Sequence, residues 1–136
     1  MCKALKFFSF ILLSLLLFSS CNEFPKFEGT YTGVFTITYQ TYNYELETGA
    51  TVEITRNFKD ITSSYTSIIG TFSLGGTIDN QGNFAIAASG INDLGSSYTI
   101  TDKGQIDIIA GIYASNLTVI ENGVTTITGT LYLQKR

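Results

Sequence analysis

The chain has 136 residues, with no histidine, no tryptophan, two cysteines, and eight basic residues against eleven acidic ones. The missing histidine excludes the Ser-His and Cys-His catalytic pairs and the common zinc sites. The acid excess argues against nucleic acid as a partner, because phosphates are met by clustered Lys and Arg.

Lys3 and Lys6 give a short positive start, and the run from Phe7 to Phe18 is apolar apart from Ser9 and Ser14. This is the pattern of a secretory signal. A membrane-spanning helix needs about 20 apolar residues, and this run ends sooner, at Ser19, Ser20, Cys21, Asn22 and Glu23. The segment Phe18-Ser19-Ser20-Cys21 resembles the lipobox of bacterial lipoproteins, with two small residues before the cysteine and Phe18 where leucine is usual. That resemblance implies diacylglyceryl transfer to the Cys21 sulfur, cleavage between Ser20 and Cys21, and acylation of the new amino group. Several acyl chains hold a protein stably where one does not. Asn22 differs from the aspartate that retains Gram-negative lipoproteins at the inner membrane, so the resemblance implies anchoring at the outer membrane of the cell envelope.

The expected organisation is a signal peptide over 1–20, a lipidated N-terminus and tether over 21–28, and one β domain over 29–136. Loss of residues 1–20 removes Lys3, Lys6 and Cys2, leaving six basic residues against eleven acidic ones and no pair of cysteines for a disulfide. The remaining 116 residues suffice for one buried core. Their β-branched and aromatic apolar residues, abundant Ser and Thr, and single Pro25 favour strands.

From Gly29 the residues alternate, with Tyr31, Gly33, Phe35, Ile37 and Tyr39 on one face and threonines on the other, which predicts a half-buried strand. The tyrosine-rich stretch from Gln40 prolongs that strand toward Leu46, with a turn at Thr48-Gly49. Val52, Ile54 and Phe58 form the inward face of the next strand, and Asn57-Phe58-Lys59-Asp60 a connection. Two strands follow, Ser64 to Ile69 and Thr71 to Asp79, with Gly70, Gly75 and Gly76 as bends or bulges. Asp79-Asn80-Gln81-Gly82-Asn83 is a turn, continued by Phe84, Ile86 and Ala88. A loop spans Ser89 to Ser96, and Tyr98–Thr101 and Gln105–Ala110 flank a turn at Asp102-Lys103-Gly104. The last hairpin joins Ile112–Ile120 to Val124–Leu133 through Glu121-Asn122-Gly123, where Asn-Gly is a strong hairpin signal.

These eight or nine short strands, without an amphipathic helix, predict an all-β antiparallel up-and-down barrel, with a β-sandwich as the alternative. Consecutive hairpins favour the barrel, whose closure removes exposed edges. In a sandwich the first strand would not lie beside the last, and cysteines at Thr32 and Thr130 would discriminate the two. Gly29-Thr30-Tyr31, the stretch from Gly76 to Phe84, and Gly129-Thr130-Leu131-Tyr132-Leu133 resemble the small lipocalin-like barrels of bacterial envelope lipoproteins. Lipocalins carry Gly-x-Trp in the first strand, where this chain has Tyr31.

No residue pattern points to catalysis, metal or cofactor. Glu45 and Glu47 share a strand face as a glycosidase pair might, but two acids near a turn fit an ordinary surface. The Asp79–Asn83 segment lacks the alternate acidic ligands and distal glutamate of a calcium loop. Asn116-Leu117-Thr118 matches a eukaryotic glycosylation acceptor, which the resemblance to bacterial lipoproteins implies is a chance match. Tyr39, Tyr42 and Tyr44 are the candidate ligand rim, since aromatic rings with a hydrated hydroxyl stack on sugars or border a pocket.

The expectation is therefore a non-enzymatic envelope lipoprotein, held at the membrane through Cys21, that binds a small apolar ligand or an oligosaccharide. The alternative is a protein-binding module, an enzyme inhibitor or an accessory subunit. A ligand barrel needs space, whereas Phe35, Ile37, Ile54, Phe72, Phe84, Ile108 and Leu131 turned inward would fill an eight-stranded lumen.

Overall fold

The alternation of apolar and hydroxyl residues that begins at Gly29 runs through almost the whole of the computed structural model, which describes residues 25–136. The leader and Cys21 lie outside the described residues. Eight strands follow in order: β1 (Gly29–Tyr39), β2 (Tyr44–Asn57), β3 (Asp60–Ser67), β4 (Gly70–Ile78), β5 (Asn83–Ile91), β6 (Ser97–Asp107), β7 (Ile112–Glu121) and β8 (Val124–Lys135). Each pairs antiparallel with the next, and β1 pairs with β8, so the sheet closes into an up-and-down, lipocalin-like barrel. The β1–β8 pairing excludes the sandwich. Its register sets Thr130 opposite Thr36 rather than Thr32.

Up-and-down order puts the turns at two ends. Residues 40–43, 68–69, 92–96 and 122–123 lie at one end, here called the mouth. Residues 58–59, 79–82 and 108–111 lie at the other, the base, together with Pro25–Glu28 and the end of β8. Phe27 is buried there with 1% exposure, its carbonyl accepting a 2.8 Å hydrogen bond from Tyr31 Oη. Arg56 Nε pairs with Glu28 Oε1 at 2.9 Å beside it. The N-terminal segment thus closes the base before the first strand starts.

All eight strands send side chains into the lumen. Ile37, Val52, Leu74, Tyr113 and Leu133 have no exposed surface, and Tyr31, Phe35, Ile54, Ile61, Ile86, Ile106 and Leu131 have 2% or less. Gly129 makes room for this filling, since a Cβ there would lie 2.4 Å from the Phe35 ring.

Five local expectations need correction. The first hairpin turns at 40–43, with Asn43 at φ 48°, instead of running on toward Leu46, and Thr48-Gly49 lies within β2 paired to Phe35 and Val34. Phe58 is not inward: it occupies the tight β2–β3 turn at φ 56° and is 80% exposed. Ile108 is likewise outside the core, on the exposed β6–β7 turn. The loop after β5 is shorter than expected, since β5 runs to Ile91. Most consequentially, Asp102-Lys103-Gly104 is no turn; β6 runs unbroken through it, paired to both β5 and β7. Turn-forming composition loses there to a two-sided ladder, and the glycine serves close approach of strands: a Cβ on Gly104 would lie 2.1 Å from the Ala114 carbonyl oxygen. The Asp79 turn is as expected, and Asp79 spends both carboxylate oxygens within it, on the Gln81 and Asn83 amides and on Asn83 Nδ2.

Candidate functional site

The mouth is where the packed lumen gives out. Ile69, Phe72, Tyr98, Ile100, Val119 and Ile127, with Asn92 and Glu121 at the margin, line a cavity of about 180 Å³. The lining follows from the strand period: Tyr98 and Ile100 continue the inward face of β6, and Val119 and Glu121 that of β7. Phe72 stacks on Tyr65 at 4.8 Å between ring centroids, making the floor. Tyr98 lies across Gly90, where a Cβ would meet the phenol at 2.8 Å.

The candidate tyrosines sit at this end but do not line the cavity. Tyr39 is half-buried against the core and stacks on Tyr44 at 6.4 Å, closing the first hairpin. Tyr42 projects from the turn, 82% exposed. Glu45 and Glu47 are exposed on β2, as expected of a plain surface. A larger depression of about 600 Å³ lies over the Asp79–Asn83 turn at the base, with mainly polar lining residues such as Lys59, Asn80 and Gln81. No protein-family model and no curated protein matches this chain.

Beneath the floor of the cavity lies a polar cluster in the middle of the core. Asp102 has no exposed surface. Its Oδ2 meets both Tyr65 Oη, at 2.5 Å, and Tyr113 Oη, and the two phenol oxygens are 2.7 Å apart. Three oxygens in mutual contact make three edges, but two phenols supply only two protons. Tyr65 Oη and Tyr113 Oη each donate to Asp102 Oδ2, and a proton on that carboxyl would free one phenol to donate to the other. The environment agrees, since burial pushes the Asp102 carboxyl up against the opposing pull of Tyr113, Tyr65 and Ser115. Burial and the neighbouring carboxyl raise both phenols above the usual tyrosine range. Burial thus favours the protonated form of Asp102 beside the two phenols.

Asp102 Oδ1, Ser63 Oγ and Ser115 Oγ are buried without a hydrogen bond of normal geometry. Ser115 is nevertheless near enough to favour the ionised carboxylate in part. The cluster sits among the buried apolar side chains of the lumen. Tyr113 also touches Tyr31 and Phe84, with ring centroids 5.8 and 5.0 Å apart, which ties the cluster to the base.

Sequence reasoning did not single out Tyr98, Ile100 and Asp102 as one inward face for one reason. Placing a turn at 102–104 broke the inward series Tyr98, Ile100, Asp102, Gly104, Ile106. Read unbroken, period two puts an acid on an apolar face, which is the available signal.

Proposed function

We propose that this protein is a non-enzymatic, lipid-anchored lipoprotein of the bacterial outer membrane that binds a small apolar ligand at the mouth of its barrel. The export signal over 1–20 and Cys21 support the anchor, and the tether 21–28 leads into the base, opposite the mouth. The observation that carries the binding reading is the apolar cavity formed by Phe72, Ile100, Val119 and Ile127 where the core stops. A cavity of about 150 Å³ accepts a benzene-sized group, whereas drug-sized ligands need about 300 Å³ or more. The mouth therefore suits one ring or the branched end of an acyl chain. Asn92, Tyr98 and Glu121 offer polar contacts to whatever extends outward.

Native mass spectrometry of residues 22–136, presented with a panel of fatty acids and oligosaccharides, tests this reading. The expected result is a one-to-one adduct that disappears in Ile100→Trp, which fills the cavity. Bare protein across the panel would refute it. The exposed Tyr42, Ile68, Ile91, Leu94 and Val124 on or beside the mouth turns favour a second reading, a protein-binding module that takes one apolar side chain of its partner into the same cavity.

A further inference from the structure

The two ends of the barrel differ in charge. Lys26, Arg56, Lys59, Lys135 and Arg136 all lie at the base, interspersed with Glu28, Asp60, Asp79 and Asp107. The mouth carries Glu45, Glu47, Asp93 and Glu121 and no basic residue.

The base also presents apolar side chains that the fold leaves exposed, Ile108 and two more strongly exposed ones. Phe58 is 80% exposed and Ile109 is 97% exposed, each on its own turn. Scattered exposed apolar residues are ordinary in themselves. Phe58 is not ordinary, because it holds φ 56° at the first position of a two-residue turn where glycine is the unstrained choice. A bulky residue kept in that conformation, and kept in water, is strain with no return inside the fold. The backbone of both turns is tied by hydrogen bonds from or to neighbouring side chains. Arg56 Nη1 donates to the Phe58 carbonyl at 3.0 Å, and Asp107 Oδ1 accepts from the Ile109 and Ala110 amides at 2.9 and 3.0 Å.

We propose that the base is a membrane-seating surface, with Phe58 and Ile109 inserted at the headgroup–acyl boundary of a phospholipid layer and Lys26, Lys59, Lys135 and Arg136 meeting its phosphates. Aromatic and aliphatic tips beside basic residues are the chemistry of interfacial binding. The position of the chain selects this end: the chain enters the fold at Pro25, at the base, so an anchor at Cys21 puts the base against the bilayer and the mouth away from it. The orientation rests on the anchor reading of the preceding subsection; the insertion chemistry does not. Turns whose backbone is already hydrogen-bonded need little further backbone ordering on insertion, which suits a contact assisted by an anchor.

Because the chain has no tryptophan, single reporters are available. Among the described residues, 25–136 form a closed eight-stranded barrel with its own buried core, so residues 22–136 are the piece to test. Residues 22–136 with an N-terminal hexahistidine tag are held on vesicles of phosphatidylglycerol, phosphatidylcholine and a nickel-chelating lipid, with and without brominated acyl chains. Phe58→Trp and Ile109→Trp are expected to shift to the blue and lose emission to the bromine, while Leu94→Trp at the mouth does neither. Lys59→Glu combined with Phe58→Trp is expected to weaken the quenching. Unquenched Phe58→Trp and Ile109→Trp, or equal quenching of Leu94→Trp, would overturn the proposal. The anchor is tested separately by labelling the full chain in cells with an alkynyl palmitate and comparing Cys21→Ser. Absence of label with quenching intact removes the anchor reading and leaves the insertion chemistry standing.

Discussion

Asp102→Asn should remove most of the pH dependence of folding between mildly acid and neutral conditions. Asp102 is fully buried and accepts from Tyr65 and Tyr113 through one carboxyl oxygen. Burial raises the carboxyl above its ordinary 3.8, so in the window above that value the folded chain binds a proton that the unfolded chain has released. Stability therefore falls as pH rises through the window, with a slope approaching about 1.4 kcal/mol per pH unit, until the folded group itself ionises. Against a total of about 5–15 kcal/mol for a domain, two pH units at that slope are a large share. Glu28 and Asp79 act in the opposite sense. Glu28 is raised by burial, but its own backbone amide and Arg56 bring it net below 4.5. Hydrogen bonds from Asn83 lower Asp79 despite slight desolvation. Their contributions are present above the unfolded carboxylate values and lost as pH falls. The asparagine is neutral at every pH, keeps an oxygen for the two phenols, and can turn its amide toward Ser115. It should cost about 1–3 kcal/mol in acid and approach or exceed the wild type near pH 8. Urea unfolding followed by tyrosine fluorescence and circular dichroism, at half-unit steps from pH 4 to 8, gives both profiles. Parallel profiles for the two proteins, or a wild-type stability that rises steadily to neutrality, would show that Asp102 is ionised in the fold and that the proton count is wrong.

Gly104→Ala should destabilise by about 3 kcal/mol or more, since its Cβ would meet the Ala114 carbonyl oxygen at 2.1 Å and Ser115 Cβ at 2.5 Å; a loss under about 1 kcal/mol in urea unfolding would contradict the close approach of β6 and β7. Phe27→Ala should cost about 3–5 kcal/mol by removing the buried ring at the base, and should speed hydrogen exchange at the ends of β1 and β8 more than at the mouth. Thr36→Cys with Thr130→Cys should oxidise to an intramolecular disulfide, because the two face each other across the β1–β8 seam. Thr32→Cys with Thr130→Cys should stay reduced, and the reverse pattern, read by gel mobility and mass, would place the seam in a different register.

The outline of the barrel was legible in the chain because it is a sum of local signals. Tyr31, Phe35 and Ile37 alternate with threonine, so one face of β1 had to be buried whatever it packed against. Asn122-Gly123 and Asp79–Asn83 announced their turns, and the structure holds Asn122 and Gly123 at φ 49° and 78° as such a hairpin requires. Local signals failed where a residue type suited to turns was overruled from outside. At Asp102-Lys103-Gly104 the ladders to β5 and β7 cover both edges of the strand, so the backbone needs no turn. At Phe58 the opposite held: an aromatic residue in phase with Val52 and Ile54 suggested core, but the chain had already reversed.

Composition and periodicity, then, determined the all-β class, the antiparallel meander, most inward faces and the unsuitability for histidine chemistry. Tertiary structure alone decided that β1 closes on β8, that the lumen is filled while the mouth keeps a cavity, and that Asp102 finds Tyr65 and Tyr113. The physical reason is range. A strand's period and a hairpin's turn are set by neighbours a few residues away. Tyr65 lies 37 residues from Asp102 in sequence, and its phenol meets that carboxyl only because barrel closure sets the two inward faces opposite each other.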